Sequence, residues 1–206
     1  MPPLFITFEG LDGSGKSTQL RRAAAWLAEQ GVAVESTHEP GGTPLGEAIR
    51  SIFLGHEWQG SDGRVEMLLV FASRRQHLVE VIEPALAAGR HVLCDRFTDS
   101  TRAYQGYGRG VPLALIEEVD RVATGGRRPD RTLLFDLPPE AARARLHRDE
   151  ADRLDAEELD FHQRVRQGYL ELAEREPRRF RVISTSGERE ATAARVRAEL
   201  RDLVER

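Results

Sequence analysis

The stretch Gly10-Leu11-Asp12-Gly13-Ser14-Gly15-Lys16-Ser17 follows an apolar run, Leu4-Phe5-Ile6-Thr7-Phe8, and opens into a helical pattern from Thr18 to Glu29. Its spacing is that of the phosphate-binding loop G-x-x-x-x-G-K-[ST], in the strand, turn and helix context that gives the motif its meaning. Gly10, Gly13 and Gly15 can take backbone conformations closed to larger residues, so that successive amides turn inward around an anion. The helix that begins there points the positive end of its dipole at the same spot. In this pattern Lys16 reaches the β- and γ-phosphates of ATP and the Ser17 hydroxyl holds Mg²⁺. Gly10, Leu11, Asp12, Gly13, Ser14, Gly15, Lys16, Ser17 and Thr18 are the expected nucleotide-binding set.

Lys16 is the only lysine among 30 basic residues, all the others being arginine. A compositional pressure has replaced lysine wherever arginine serves. A compact ammonium on a thin stem fits within a ring of amides and a planar guanidinium does not, so the exception marks the place where the two cations differ.

At 206 residues the chain suits one domain, long enough to bury about 70% of its unfolded surface. It is 40% hydrophobic and 31% charged, ordinary for a soluble protein, and no apolar run approaches the ~18 residues of a membrane span. The N-terminus has no basic n-region and begins a strand at once, which predicts a cytoplasmic protein without a signal peptide. A single cysteine, Cys94, excludes an internal disulfide, and the six scattered histidines offer no zinc spacing. A metal is expected to arrive with the nucleotide. The net charge of −4 speaks against a nucleic-acid-coating protein, although arginines cluster at 74–75, 127–128, 143–153 and 178–181, where they suit small anions or solvated faces.

Apolar strand-like runs alternate with helical patterns, the signature of a parallel sheet covered by helices. Strands are predicted at 4–8, 32–36, 91–95, 132–136 and 181–184. Helices are predicted near 18–29, 44–53, 64–88, 98–106, 112–123, 139–147, 157–175 and 188–204. Ligands gather at the carboxyl ends of such strands, so Gly10, Glu39 and Asp95 should face one crevice. After the second strand, EPGGTPLGEAIR (39–50) reads as a tight turn and a helix capped by Thr43, with Arg50 two turns along. The third strand ends in CDRFTDSTRAYQGYGRG (94–110). Asp95, closing an apolar strand, suits Mg²⁺, and Arg96 beside it a second anion. Tyr104 and Gln105 offer an aromatic plane and an amide able to donate and accept, as a pyrimidine edge requires.

FEGLDGSGKSTQL, EPGGTPLGEAIR, ASRRQHL, DRFTDSTRAYQG and DRLDAEELDFHQRVRQGYLEL, in this order and spacing, closely resemble the bacterial thymidylate kinases over about residues 4 to 172. The resemblance implies a nucleoside monophosphate kinase fold: a five-stranded parallel sheet flanked by helices, a lid at about 143–156, and a homodimer packed through helices. It also implies the reaction of ATP and dTMP to ADP and dTDP with Mg²⁺, in the dTTP supply pathway, with no nucleic-acid or membrane partner. Carried over by position, Asp12 lies near the acceptor's sugar and the metal, Arg96 binds the dTMP phosphate, and Thr101 and Gln105 contact the thymine edge. Tyr104 sits where a 2′-hydroxyl would clash, Pro40 and Arg50 line the base pocket, and Arg74 contacts dTMP from the long helix.

The match departs from the family in three places. Relatives commonly stack an aromatic on thymine four residues before the helix arginine, where this chain has Val70, with Phe71 next. Phe71 and Arg75 keep the four-residue spacing, so Arg74 and Arg75 both stand as candidates. The lid reads DRLD where DR-x-E is usual, which affects the role of Asp155. Asp12 is followed by Gly13 instead of the arginine some relatives carry, so the charge clamp must come from elsewhere, and Arg143, Arg145, Arg148 and Arg153 fall where the family's lid lies. Arg145 and Arg148 are three apart and share a helix face. Arg148 and Arg153 match the lid motif and are the expected catalytic pair.

Two other readings compete. A deoxynucleoside kinase would need a base for a hydroxyl, a part Glu9 could take, but the paired Arg74 and Arg96 favour a charged acceptor. A guanine-nucleotide switch would need N-K-x-D, which a chain with one lysine at position 16 cannot contain.

Overall fold

In the computed structural model, residues 2–146 and 154–205 are described. Five parallel strands form one sheet: β1 (Phe5–Glu9), β2 (Val34–His38), β3 (His91–Asp95), β4 (Arg131–Asp136) and β5 (Phe180–Ser184), in the order β2-β3-β1-β4-β5. All five predicted strands are present within two residues of their expected places. The predicted α/β class, a five-stranded parallel sheet flanked by helices, is the architecture found.

Because the sheet is covered on both faces, its central strands bury every residue of the apolar run. Ile6, Phe8, Leu93, Leu133 and Phe135 point to one side, against Leu20 and Leu27 of α1 (Lys16–Glu29) and Val196 of α9 (Arg189–Glu199). On the other side Phe5, Val92, Cys94 and Phe97 meet Leu78 and Ile82. Leu134 and Leu137 meet Phe161, Val165 and Tyr169 of α8 (Leu159–Arg175). Each aromatic ring so buried contributes about 1.5–3 kcal/mol.

The helix predicted over 64–88 is α3 (Gly63–His77), a widened π-helical turn at Leu78–Ile82, and α4 (Glu83–Ala87). Pro84 has no amide hydrogen and its ring crowds the preceding turn, so the α-helical ladder is interrupted just ahead of it. The second predicted helix to break, 98–106, is α5 (Thr98–Thr101) followed by a π-helical stretch, Arg102–Gly108. Gly106 and Gly108 hold the α conformation weakly. A Cβ on either would come within 2.6 Å of Leu113 or of the Phe161 ring, so close packing favours the distortion.

α2 (Pro44–Leu54) starts as predicted, with Thr43 Oγ1 accepting from the Gly46 amide at 3.0 Å. α6 (Leu113–Thr124) and the short α7 (Pro139–Arg143) complete the layers. Beneath α5, the buried Asp99 pairs with Arg102 (2.9 Å) and Arg179, tying α5 to the strands it crosses. Among the described residues no helix is long and apolar enough to cross a membrane.

Candidate active site

At the carboxyl end of β1 the loop 10–15 takes the shape its glycines allow. Gly10, Gly13 and Gly15 have φ of +139°, +77° and +91°. Two of them are also space-limited: a Cβ on Gly10 would lie 2.5 Å from the Phe135 carbonyl oxygen, and one on Gly13 would lie 2.2 Å from that of Ala142. Gly15 caps α1 without any side-chain bond, which leaves the first amides of the helix for an anion. Lys16 is 4% exposed and its Nζ donates to Asp12 Oδ1 at 2.7 Å.

Asp12 is the junction of the site. Its carboxylate also accepts from Arg96 Nη2, at 2.8 and 2.7 Å to the two oxygens, so it bridges Lys16 on one side and Arg96 on the other. Burial alone would raise this carboxyl, but the two cations overcome it and hold the group far below the usual carboxylate range. The Tyr104 hydroxyl lies 3.3 Å from Asp12 Oδ2, and the Arg96 guanidinium lies over the Tyr104 ring at 4.9 Å.

Arg96 is, among the described residues, the only non-glycine at positive φ (+73°). Such a conformation persists where its surroundings over-determine it. Its amide donates to Phe8 O (3.0 Å) and its carbonyl accepts from Cys94 Sγ (3.0 Å). The next amide, of Phe97, donates to Glu9 Oε1 (2.7 Å). The other Glu9 oxygen accepts from Ser100 Oγ (2.6 Å) and the Tyr169 hydroxyl (3.0 Å), and both of these groups receive Arg96 Nη1, at 3.0 and 3.3 Å. Burial, with the Asp99 carboxylate close by, pushes Glu9 up to about 7.

Beside this centre lies a pocket of about 70 Å³, lined by Pro40, Arg50, Phe53, Val70, Arg74, Arg96, Thr101, Tyr104 and Gln105 among others. Arg74 is 1% exposed and held in place: Nε on Glu39 Oε2 at 2.7 Å, Nη1 on Thr101 Oγ1 at 3.1 Å, the guanidinium between the Phe71 and Phe97 rings. Glu39 is fixed from its other oxygen by His77 Nδ1 at 3.0 Å. Arg50 donates to the Pro40 carbonyl at 3.0 Å.

The two alternatives at the long helix separate here. Arg75 is exposed and reaches the Ala123 carbonyl at 3.5 Å, and Phe71 is packed among Met67, Val111 and Ile116. Neither lines the pocket, whereas Val70 and Arg74 do. The helix is not shifted to carry Phe71 over a base, because the Arg74 guanidinium occupies the space on that ring.

On the opposite side of Asp12 a wider cleft of about 570 Å³ runs along Gly13 to Gln19 and on to Arg145, Thr185, Gly187, Glu188 and Thr192. Arg145 Nη2 donates to the Thr185 carbonyl at 2.9 Å, joining the end of the α7 turn to the loop after β5. Leu154 lines the smaller pocket and Asp155 this cleft, so the last two residues of the DRLD motif stand between the two. Arg148 and Arg153 lie outside the described residues.

Ser17 Oγ is bonded to Asp95 Oδ2, and Asp95 Oδ1 is buried with no hydrogen-bond partner. A hydroxyl and a carboxylate with an unsatisfied oxygen suit a hard, oxygen-seeking cation. Among the described residues there is no group of three or more His, Cys, Asp or Glu that could hold a metal ion.

Sequence reading alone missed several parts. Glu66 lies in none of the motif stretches, and Ser100 and Tyr169, which lie within two of them, carry no spacing that marks them out from their neighbours. Glu9 offered a signal, a carboxylate closing an apolar strand, but its place is behind Arg96 and not in the cleft.

The Thymidylate kinase family model matches residues 8–196. A thymidylate kinase of Desulfosudis oleivorans is 48% identical over 205 residues, covering 96% of each chain. One from Pseudomonas putida is 47% identical, covering all of this chain and 99% of its own. Among solved structures, the crystal structure of thymidylate kinase from Ehrlichia chaffeensis superposes with a TM-score of 0.79 at 36% identity, covering 98% of this chain and 99% of that one.

Proposed function

The chain belongs to the thymidylate kinase family, and on that premise we propose that it transfers the γ-phosphoryl group of ATP in line to the phosphate of dTMP, giving ADP and dTDP for dTTP supply. The observation that carries this reading is the meeting of two clefts at Asp12, with Lys16 facing one and Arg96 the other. The wide cleft has the loop amides and helix N-terminus that a triphosphate needs, and the Arg145 side with the loop 185–188 leaves room for its base. The smaller pocket has the edge chemistry for a pyrimidine, with the Thr101 hydroxyl and the Gln105 amide in its lining.

A phosphate monoester acceptor is largely dianionic at neutral pH, its second pKa being about 6, so no strong general base is required. The difficulty is to bring a dianion up to the γ-phosphate. Lys16 and Arg96 supply positive charge on the two sides of the transfer, and Asp12 holds both in position until substrates displace it. Ser17 and Asp95 would hold Mg²⁺, which supplies charge neutralisation and orientation of the phosphates. Thr101 and Gln105 read the base edge, Arg74 contacts dTMP from the long helix, and Tyr104 closes the sugar side.

The lid at about 143–156 brings Arg148 and Arg153 over the γ-phosphate, a reading supported by the position of Leu154 and Asp155 between the clefts. The homodimer is supported by an apolar outer face on α3 and α6, where Val65, Leu68 and Val122 are 50%, 55% and 84% exposed. The deciding experiment is ADP release against a panel of nucleoside monophosphates. dTMP is expected to exceed dCMP by two or more orders of magnitude in kcat/KM, because a mismatched edge leaves buried polar groups unpaired. Equal efficiency on the two would show the base-pocket reading to be wrong.

A further inference from the structure

Gln105 is the one residue lining the acceptor pocket whose two ends carry opposite hydrogen-bonding character. Its amide presents donors at Nε2 and an acceptor at Oε1, and a rotation of 180° about the last bond exchanges them. A pyrimidine edge distinguishes the two orientations: the N3 position of thymine is a donor and that of cytosine an acceptor. Something must hold the amide one way round for the pocket to select.

Gln105 Nε2 lies 3.0 Å from Glu66 Oε2. Glu66 stands on α3, two turns before Arg74, and is 0% exposed. Its charge is met by Arg109 in a forked arrangement, Nη2 to Oε1 at 3.1 Å and Nε to Oε2 at 3.3 Å. A carboxylate bound in this way by a guanidinium is ionised, and an ionised carboxylate only accepts. It can therefore bond the NH₂ end of Gln105 and repels the carbonyl end. Arg109 is anchored in turn by Glu157 (2.6 Å) and lies over the Phe161 ring at 4.7 Å, so the counter-ion is itself fixed.

We propose that Glu66 is a positioning residue for base selection: by accepting from Gln105 Nε2 it locks the amide with Oε1 toward the pocket, where that oxygen takes an N3–H donor and rejects an N3 lone pair. The proposal rests on Gln105 reading the base edge and deepens it. Glu66 does not reach the pocket itself, and its effect passes wholly through the orientation of its neighbour. A pocket built with an acceptor at this point takes thymine and uracil and refuses cytosine.

The test is the ratio of kcat/KM for dTMP to that for dCMP in Glu66→Gln, Gln105→Ala and the double variant. A carboxamide at 66 can present either a donor or an acceptor, so Gln105 is released to turn. Glu66→Gln is expected to lower the ratio at least tenfold, with the loss for dTMP appearing mainly in KM, and to have little further effect on the ratio once Gln105 is alanine. A purely structural role for Glu66 would weaken both substrates alike and leave the ratio within about threefold of the parent, which overturns the proposal. If Gln105→Ala collapses the ratio and Glu66→Gln does not, Gln105 reads the base but Glu66 does not set it. If Gln105→Ala itself leaves the ratio unchanged, the reading of the base edge falls and the proposal with it. Glu66→Asp keeps the charge and draws the acceptor back by one methylene, and serves where the glutamine variant fails to fold. The same fall in ratio is expected of it.

Discussion

The two clefts that meet at Asp12 are made of different material. The donor side is gripped mainly by backbone: three glycines at positive φ, the free amides at the start of α1, and one lysine, all within eight consecutive residues. The acceptor side is lined by side chains from β1's loop, α2, α3, the turn after β3 and the π-helical stretch, from Asp12 to Gln105, 93 residues apart in the chain. A backbone grip writes itself into sequence as glycines at fixed spacing, since no other residue can take the conformation. A side-chain grip is set by which neighbours pack beneath each group, and short motifs carry little of that.

The largest expected effect breaks the donor side alone. Lys16→Arg keeps the charge but places a planar guanidinium where a buried ammonium sits on Asp12, and turnover is expected to fall by two orders of magnitude or more with the thermal melt unchanged. Steady-state ADP release decides it: a kcat within about threefold of the parent, roughly 0.7 kcal/mol in barrier, would show that the loop needs only a cation at this point.

The same contrast explains what could be read in advance. The five strands follow from apolar runs, each within two residues of its expected place, and the loop follows from glycine spacing; of the expected crevice, Glu39 and Asp95 line one cleft, together with Asp12, Lys16 and Ser17 and without Gly10. The choice between Arg74 and Arg75 did not follow. Both satisfy a helical spacing, and what separates them is a buried glutamate, Glu39, waiting at 2.7 Å on one side and only the Ala123 carbonyl on the other. Nor did the π-helical stretch, because its cause is the packing of Leu113 and Phe161 onto two glycines from distant parts of the chain. Sole-lysine composition was the exception, a global count that pointed at a single atom.

A second prediction tests whether charge at the transition state belongs to the acceptor side or to the lid that spans both. If the lid closes over the γ-phosphate and not the base, as proposed above, Arg148→Ala or Arg153→Ala lowers kcat at least tenfold with much less change in KM for dTMP. Retention of kcat in both, with dTMP affinity lost, would move the clamp to Arg50, Arg74 or Arg96 and make the acceptor side the seat of catalysis.

The smallest effect concerns the support behind Arg96, and it is read in stability. Glu9 is buried in a setting that contains Asp99, Arg96, Ser100 and Tyr169, and its carboxyl is pushed up from the ordinary 4.5 to about 7, burial being the main cause and Asp99 the second. The folded chain therefore binds more protons at this group than the unfolded chain does between about pH 4.5 and 7. Stability from this group is fully present below the unfolded value and is lost as pH rises through 7. His162, whose pKa burial lowers, gives the opposite slope below 6.5, so the wild-type profile alone mixes the two. Glu9→Gln separates them. The amide oxygen can still accept from the Phe97 amide, its NH₂ can donate to Ser100 or Tyr169, whose hydroxyls can reverse, and no charge remains to titrate. Urea denaturation of both proteins between pH 5.5 and 7.5 is expected to show the variant gaining on the wild type as pH rises, by on the order of 1 kcal/mol across the interval. A difference that stays flat across the interval would mean that Glu9 is ionised throughout, and that Arg96, held on Asp12 at 2.7 Å and on the Glu9-bound hydroxyls, neutralises it more completely than its burial suggests.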